Sequence, residues 1–405
     1  MAKKKMSEGV DDSFFEDLAE EIGGDVLNDI DSVKYFVDTG SLALNYICSG
    51  QFITGGIPGG KLTEIYGPSS SSKSLIGANI LFGAQKMKGV PVLMDCENSA
   101  NKEFVQQASH CNLKRIVRAT PETLEEVFAK MYKICEKTRT RTSNDVPIVI
   151  VYDSIGVSPS ARELKEVDLP ENYTQAQFKA IVGAREQPGE RAKICSRELR
   201  KLNTVMERYN ATVVILNQTR DKIGTYVPMK TTAGGGNALP FYASCRIETK
   251  LNKKIEKKLS AKNKKILGIN VAFVNKKNKT HRPHIESSNI QLLFDKGINP
   301  ISGLLSCLLD ADRIEIKGAG SFQVKAAYSN GEEVKFRASL DRNDIPIDVL
   351  LKCPGLIDAA SPEQVEAYLE PYKAAIESRA EDDSDVEVSD VTSFDDELID
   401  EELEG

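Results

Sequence analysis

The sequence predicts an α/β protein built on a mostly parallel central sheet, with a smaller α+β unit after it. Three observations carry this. Short apolar runs, VPVLMD (90–95), VPIVIVYD (146–153) and ATVVILNQ (211–218), have the near-continuous hydrophobicity of strands buried on both faces. Amphipathic stretches separate them, over 73–88, in PETLEEVFAKMYKICEK (121–137) and in ERAKICSRELRKLNTVMERY (190–209). The chain has 405 residues, room for two or three folded units, and its 40% apolar content is ample for a core.

The first 35 residues are polar and acidic except for SFFEDLAEEI (13–22), where Phe14, Phe15, Leu18 and Ile22 share one helix face. So short a helix buries little alone, and it reads as an N-terminal arm that either caps its own chain or docks on a neighbour. KLTEIY (61–66) reads as a strand, and GPSSSSKS (67–74) as the loop into the first long helix. KLNKKIEKKLSAKNKK (250–265) reads as an exposed strand and hairpin. Twelve Lys or Arg lie between Lys250 and Arg282 against one acid, Glu256. Such a run either keeps an edge strand solvated or faces phosphates, and the sequence leaves both open. The expected domains are an arm at 1–36, a core at 37–299, a small α+β unit at 300–379 and, by composition, a disordered acidic tail at 380–405.

Formal net charge is −7, unevenly spread. Residues 381–405 hold thirteen acids and no Lys or Arg, which leaves +6 on residues 1–380. A basic body with an acidic tail suggests a polyanion-binding surface and a tail that competes for it. The eight cysteines form no C-x-x-C pair and most sit in apolar company, so buried reduced thiols are expected. His281 and His284 form an H-x-x-H with no cysteine nearby, which argues against a metal site. No signal peptide and no apolar run of 18 is evident, so a soluble, cytoplasmic protein with no membrane partner is expected.

GPSSSSKS departs by one letter from the phosphate-cradling pattern G-x-x-x-x-G-K-[ST], because Ser72 stands at the second glycine. Its strand–loop–helix context fits the motif, whereas a serine linker has no reason to end in lysine and a helix. The backbone of Gly67, Pro68, Ser69, Ser70, Ser71, Ser72, Lys73 and Ser74 borders the site, with an N–H at every position but Pro68. The free N–H groups and the helix start can bind a triphosphate. Lys73 would reach the β- and γ-phosphates, and the Ser74 hydroxyl would ligate Mg²⁺. Asp153, closing an apolar strand, can hold the hydration shell of that Mg²⁺. Glu97, just past VPVLMD, can orient or deprotonate a water.

Together these pieces resemble the RecA family of homologous-recombination ATPases, which includes virus-encoded UvsX-type and archaeal and eukaryotic strand-exchange proteins. The likeness runs from Val37 to Phe322. It is densest in DTGSLALNYICSGQFITGGIPGGKLTEIYGPSSSSKS, LMDCENSANKEF, VILNQTRDKIG…TTAGGGNALPFYAS and LLFDKGIN. The third is the most specific, since a generic loop NTPase has no reason to carry it. The resemblance implies a RecA-like ATPase core over 37–299 with ATP and Mg²⁺ as cofactors. It implies Glu97 as the catalytic acid that activates water, Asp153 on the Mg²⁺ side, and Gln218 as the γ-phosphate sensor. Asn101 and Phe104 fall where the adenine is met. Lys277 and Lys279 match lysines that reach the γ-phosphate of an adjacent protomer's ATP, so that ATP joins subunits in a helical filament.

Two segments would then face DNA, one around 156–188 and one from Thr219 to Asn237. Arg220 and Lys222 supply charge there, and Gly235, Gly236 and Asn237 supply backbone and amide donors. Lys193, Ser196 and Arg200 share a helix face and fit a row of phosphate contacts, although a solvated face has the same pattern. The implied function is ATP-dependent DNA strand exchange, with single- and double-stranded DNA and further copies of the chain as partners. A loader or a single-strand-binding protein is a further candidate partner. The alternatives are a hexameric RecA-fold helicase, against which 219–237 argues, and a non-hydrolysing mediator, for which Ser72 is the best support. Ser72 puts hydrolysis rate in doubt more than binding. Variation there among virus-encoded members, with the acidic end, points to a phage origin.

Overall fold

A computed structural model describes residues 12–24, 26, 33–98, 102–165, 189–221, 230–232, 236–258, 264–381 and 386–390. Its contacts divide the chain into two units, 1–34 and 35–405. In the first, α1 (Asp12–Ile22) is the expected amphipathic helix, and its face is uncovered: Phe14, Phe15, Leu18 and Ile22 are 46, 50, 41 and 73% exposed.

The second unit opens with β1 (Phe36–Val37) and β2 (Ile57–Pro58), an antiparallel pair around α2 (Leu42–Ser49). Ser41 caps α2, its hydroxyl accepting from the Leu44 N–H at 3.3 Å, and Gly50 ends it at φ 77°. Next come β3 (Leu62–Gly67), α3 (Lys73–Lys86), β4 (Val90–Asp95), α4 (Lys102–Ser109) and β5 (Val117–Ala119). Then follow α5 (Leu124–Arg139), β6 (Ile148–Asp153), α6 (Ala161–Lys165), α7 (Glu190–Tyr209), β7 (Ala211–Asp221), β8 (Lys230–Thr232) and α8 (Ala238–Tyr242). Long strands β9 (Cys245–Lys258) and β10 (Lys264–Asn278) form the expected hairpin, followed by β11 (Glu286–Leu293) and β12 (Gly297–Ile298).

These strands make one sheet in the order β12-β11-β10-β9-β3-β7-β6-β4-β5. β9, β3, β7, β6, β4 and β5 run parallel, and the β9–β12 wing is antiparallel. Alternation decides the two faces. Val149, Val151, Val214 and Leu216 join a cluster with α2 and α3. Ile148, Ile150, Val213 and Ile215 join a second cluster with α5 and α7. Each such side chain, fully buried, contributes about 1.5–3 kcal/mol, so a one-residue slip of β6 or β7 would transpose both cores.

The C-terminal unit adds α9 (Leu304–Asp310) and the antiparallel strands β13 (Ile314–Gly318), β14 (Ser321–Val324) and β15 (Lys335–Arg337). Helices α10 (Ile347–Lys352), α11 (Pro362–Leu369) and α12 (Lys373–Glu381) complete it. It shares the first core: Leu305, Phe322, Leu350 and Tyr372 cluster with α2 and α3. Between α11 and α12 the chain makes a 3-10 turn at Glu370–Tyr372, because Pro371 has no N–H to continue the ladder. Lys86, at the end of α3, pairs with Asp38 and lies over the Phe82, Tyr368 and Tyr372 rings at 5.1, 5.1 and 5.5 Å. That cation ties the loop helix to α11 and the turn after it.

Seven cysteines are buried and Cys96 is partly so; all eight are free thiols. Among the described residues no helix is long and apolar enough to cross a membrane. Within the acidic segment one strand is described, β16 (Val386–Asp390), paired antiparallel with β9.

Candidate nucleotide site and nucleic-acid face

Parallel pairing puts the loop and the acids at one end of the sheet. Gly67 is level with Gln218, and Asp95 with Asp153, so the C-terminal ends of β3, β7, β4 and β6 meet. The residue beyond each of those ends is where ligand chemistry is expected.

Lys73 starts α3 and is 8% exposed. Its Nζ donates to the carbonyls of Gly67 and Pro68 at 3.3 and 2.6 Å and to Ser71 Oγ at 3.2 Å. No carboxylate lies within ion-pairing distance of it among the described residues. Burial pulls the ammonium down to about 8, while Asp153 and Glu97 pull the other way. A buried cation held only by neutral oxygens suits an incoming anion. Ser71 Oγ also meets Thr249 Oγ1 at 2.8 Å, anchoring the loop to β9.

Ser72 sits at φ 58°, the left-handed region in which a glycine is ordinarily placed, and Ser70 does the same. The serine therefore keeps the motif's backbone shape, at a cost of about 1 kcal/mol. Replacing Ser72 with Gly is expected to leave the melting temperature unchanged or slightly raised and to preserve nucleotide binding. A clear fall in melting temperature would contradict this reading of the loop.

Ser74 Oγ donates to Asp153 Oδ2 at 2.5 Å. Burial pushes the Asp153 carboxyl up to about 6; Glu97 and Asp95 add to the rise, and Ser74 and Lys73 oppose it. A hydroxyl and a carboxylate in contact beside the loop are a donor set that fits Mg²⁺. Glu97 is exposed, and its Oε1 accepts from Ser154 Oγ at 2.8 Å. Lys73, Ser74, Glu97 and Asp153 thus lie together at this end of the sheet.

Several contacting side chains were not singled out by the sequence. Ser154, 1% exposed, holds Glu97. Arg118 on β5 grips Asp95 Oδ2 through Nε and Nη2 at 3.0 and 2.5 Å, and reaches Asn98 Oδ1 at 3.3 Å, flanking Glu97 on both sides. Glu64, wholly buried, takes Asn217 Nδ2 at 2.9 Å and Arg246 Nε at 2.5 Å beneath the loop strand. Position after Asp153 was the available signal for Ser154. Arg118 and Arg246 gave none, since their partners are distant in sequence.

Lys277 and Lys279 do not join this group. The β9–β10 register sets Lys277 opposite Arg246, which is level with Glu64 near the start of β3, at the far end of the sheet from the loop. Lys277 Nζ donates to the Pro240 and Phe241 carbonyls at 2.7 and 2.8 Å, and Lys279 is exposed. Asn101 lies outside the described residues. So do Lys222 and Gly235, most of the 156–188 segment, and the side chains of Phe104 and Arg220.

Of the expected DNA face, residues on α7 and at the start of α8 are described. On α7, Lys193 and Arg200 are exposed and Ser196 half-buried. Gly236, at φ 55°, comes so near the first turn of α7 that a Cβ would lie 3.0 Å from the Ala192 Cβ. Asn237, exposed, begins α8, and Arg200 Nε reaches Tyr242 Oη at 3.4 Å. Gln218 lies in β7 just before its pairing with β8 through Thr219 and Thr232.

The family described as RecA N-terminal domain matches residues 6–299, well over half of the chain. The chain belongs to the RecA family. Protein RecA of Deinococcus radiodurans is 30% identical over 297 residues, 73% of this chain and 71% of that protein. Protein RecA of Thermus thermophilus is 27% identical over 316 residues, 78% of this chain and 84% of that protein. Protein RecA of Mycoplasma mycoides subsp. mycoides is 28% identical over 264 residues, 65% and 68%. As a RecA-family member the chain is an ATPase.

The two displaced pKa values give this RecA-family site a pH signature. If Asp153 holds Mg²⁺ and Lys73 holds phosphate, the first must be ionised and the second protonated, and both are displaced toward neutrality. In the free protein kcat/KM for ATP should therefore be bell-shaped, falling as pH drops through about 6 and as it rises through about 8. A profile flat across pH 5 to 9 (about two units each side of neutrality) would contradict these assignments.

Proposed function

We propose that this RecA-family protein is an ATP-dependent DNA strand-exchange recombinase that forms helical filaments on single-stranded DNA, for homologous recombination and repair. One observation carries the filament: the lysines expected at the γ-phosphate lie at the end of the sheet remote from their own loop. A site open at one end of the subunit and its missing cations at the other end make a head-to-tail contact, which propagates instead of closing on itself.

Lys73 and the loop N–H groups bind the β- and γ-phosphates. Ser74 and Asp153 hold Mg²⁺, which supplies charge neutralisation on the phosphate oxygens. Glu97, oriented by Ser154, takes the proton of the attacking water. Asn101 and Phe104 meet the adenine. Lys277 and Lys279 act on the ATP of the next subunit, where Lys277 exchanges two backbone carbonyls for phosphate. Gln218 links the γ-phosphate to the 219–237 segment.

Lys193, Ser196, Arg200, Arg220, Lys222, Gly235, Gly236 and Asn237 form the DNA face. Their contacts to the sugar-phosphate chain give salt-sensitive, sequence-independent binding, and base pairing between strands supplies homology. The amphipathic 12–22 helix docks on a neighbouring copy. The acidic segment 381–405 shields basic surface until DNA displaces it, and it can also recruit a loader. The protein works in the cytoplasm, alongside a single-strand-binding protein.

Electron microscopy with ATP and single-stranded DNA tests the proposal. Helical filaments support it, closed hexamers would assign a helicase, and no assembly would assign a mediator.

A further inference from the structure

The acidic segment meets the body at a defined place, and the place explains how it can shield. β3 leaves β9 at the Tyr66–Glu248 pair, so among the described residues the central sheet leaves that edge of β9 open from Thr249 onward. An open edge is a template for another strand. Residues 386–390 fill it in antiparallel register: Val386 opposite Lys257, Val388 opposite Ile255, Asp390 opposite Lys253. The chain is delivered there by α12, whose Ala375 is buried with Ile255 and Leu293 against Leu267. Glu381, the last residue of α12, is five positions before the strand begins.

The sequence of the segment fits. VEVSD alternates two β-branched residues with polar ones, within a stretch otherwise crowded by acids. The edge it meets carries Lys250, Lys253, Lys254, Lys257 and Lys258 with one acid, Glu256. Charge draws the tail toward this strand, and only backbone pairing gives it a register.

We infer that the open edge of β9 is a docking site for residues 386–390 of the same chain, and that this strand pairing, not net charge alone, holds the acidic tail over the lysine-rich hairpin. The inference rests on the shielding reading above and names its mechanism. The lysine-rich hairpin, in addition to the DNA face named above, contacts DNA phosphates only while the strand is undocked, so apparent affinity is scaled by the fraction of time the edge is free.

Val388→Pro/Ser389→Pro, in the full chain, tests this without changing charge. Alternate N–H groups face the partner strand, so one of the two prolines must remove a ladder donor. It is compared with deletion of 381–405 and with the unaltered chain. The readouts are anisotropy of labelled oligo-dT without nucleotide at fixed salt, and hydrogen exchange of amides 249–258. Both variants should tighten DNA binding by about tenfold, the factor for an edge covered nine-tenths of the time, and both should lose amide protection. If deletion tightens binding but the proline variant behaves as the unaltered chain, strand docking is overturned and charge shielding survives. Should neither change binding, the shielding reading falls as well. Protection that grows with protein concentration would overturn docking within one chain and make the occupant a second copy.

Discussion

Lys73→Ala is expected to yield a folded protein that no longer assembles with ATP. The ammonium is buried among neutral oxygens, and burial already disfavours its charge. Removing it should therefore leave the melting temperature unchanged or raised, since a desolvated cation is lost without breaking an ion pair. A triphosphate bound at this loop, by contrast, would lose the buried cation that faces it. Truncating such a partner costs about 3 kcal/mol or more, roughly a hundredfold in ATP affinity. Light scattering with ATP and single-stranded DNA should show no filament signal. Assembly equal to that of the unaltered chain would refute the loop as the nucleotide site.

Glu97→Gln should separate binding from turnover. The carboxylate is exposed, outside both cores, and its described side-chain bond comes from Ser154. Glutamine keeps the shape and can still accept that bond through its carbonyl, yet it cannot take a proton from water. Turnover should drop by about 10²–10⁴-fold, the usual worth of a positioned base, with KM for ATP little changed. Filaments formed with ATP should persist, because nothing dissolves them. Ordinary hydrolysis by this variant would strip Glu97 of its role.

Much of this was legible because it is written locally. Apolar runs such as IVIVYD and the loop at 67–74 declare strand, turn and helix within a dozen residues. Asp153 and Glu97 were readable because strand ends in a parallel sheet collect at one edge. The left-handed backbone of Ser70 was not readable, because nothing in the serine run distinguishes it from Ser69 or Ser71. Nor were the Arg118–Asp95 and Glu64–Arg246 pairs, whose partners are brought together only by strand order. Composition marked 380–405 as unable to fold alone. It could not register that a neighbouring strand offers residues 386–390 an open edge.

The shared site is tested most directly by mixing two inactive proteins. One carries Lys73→Ala, with an intact lysine pair and a dead loop. The other carries Lys277→Ala/Lys279→Ala, with an intact loop and no cations to lend. If each nucleotide is held between subunits, a mixture of the two recreates complete sites wherever an intact loop faces intact lysines. About a quarter of the contacts in an equal, random mixture are of that kind. DNA-dependent ATP hydrolysis should reappear, at up to about that fraction of the unaltered rate, since a Lys73→Ala loop makes no ATP-bound contact of its own. A mixture as inactive as its components, with mixed oligomers demonstrated by pull-down of a tagged variant, would contradict a site completed by the neighbouring subunit.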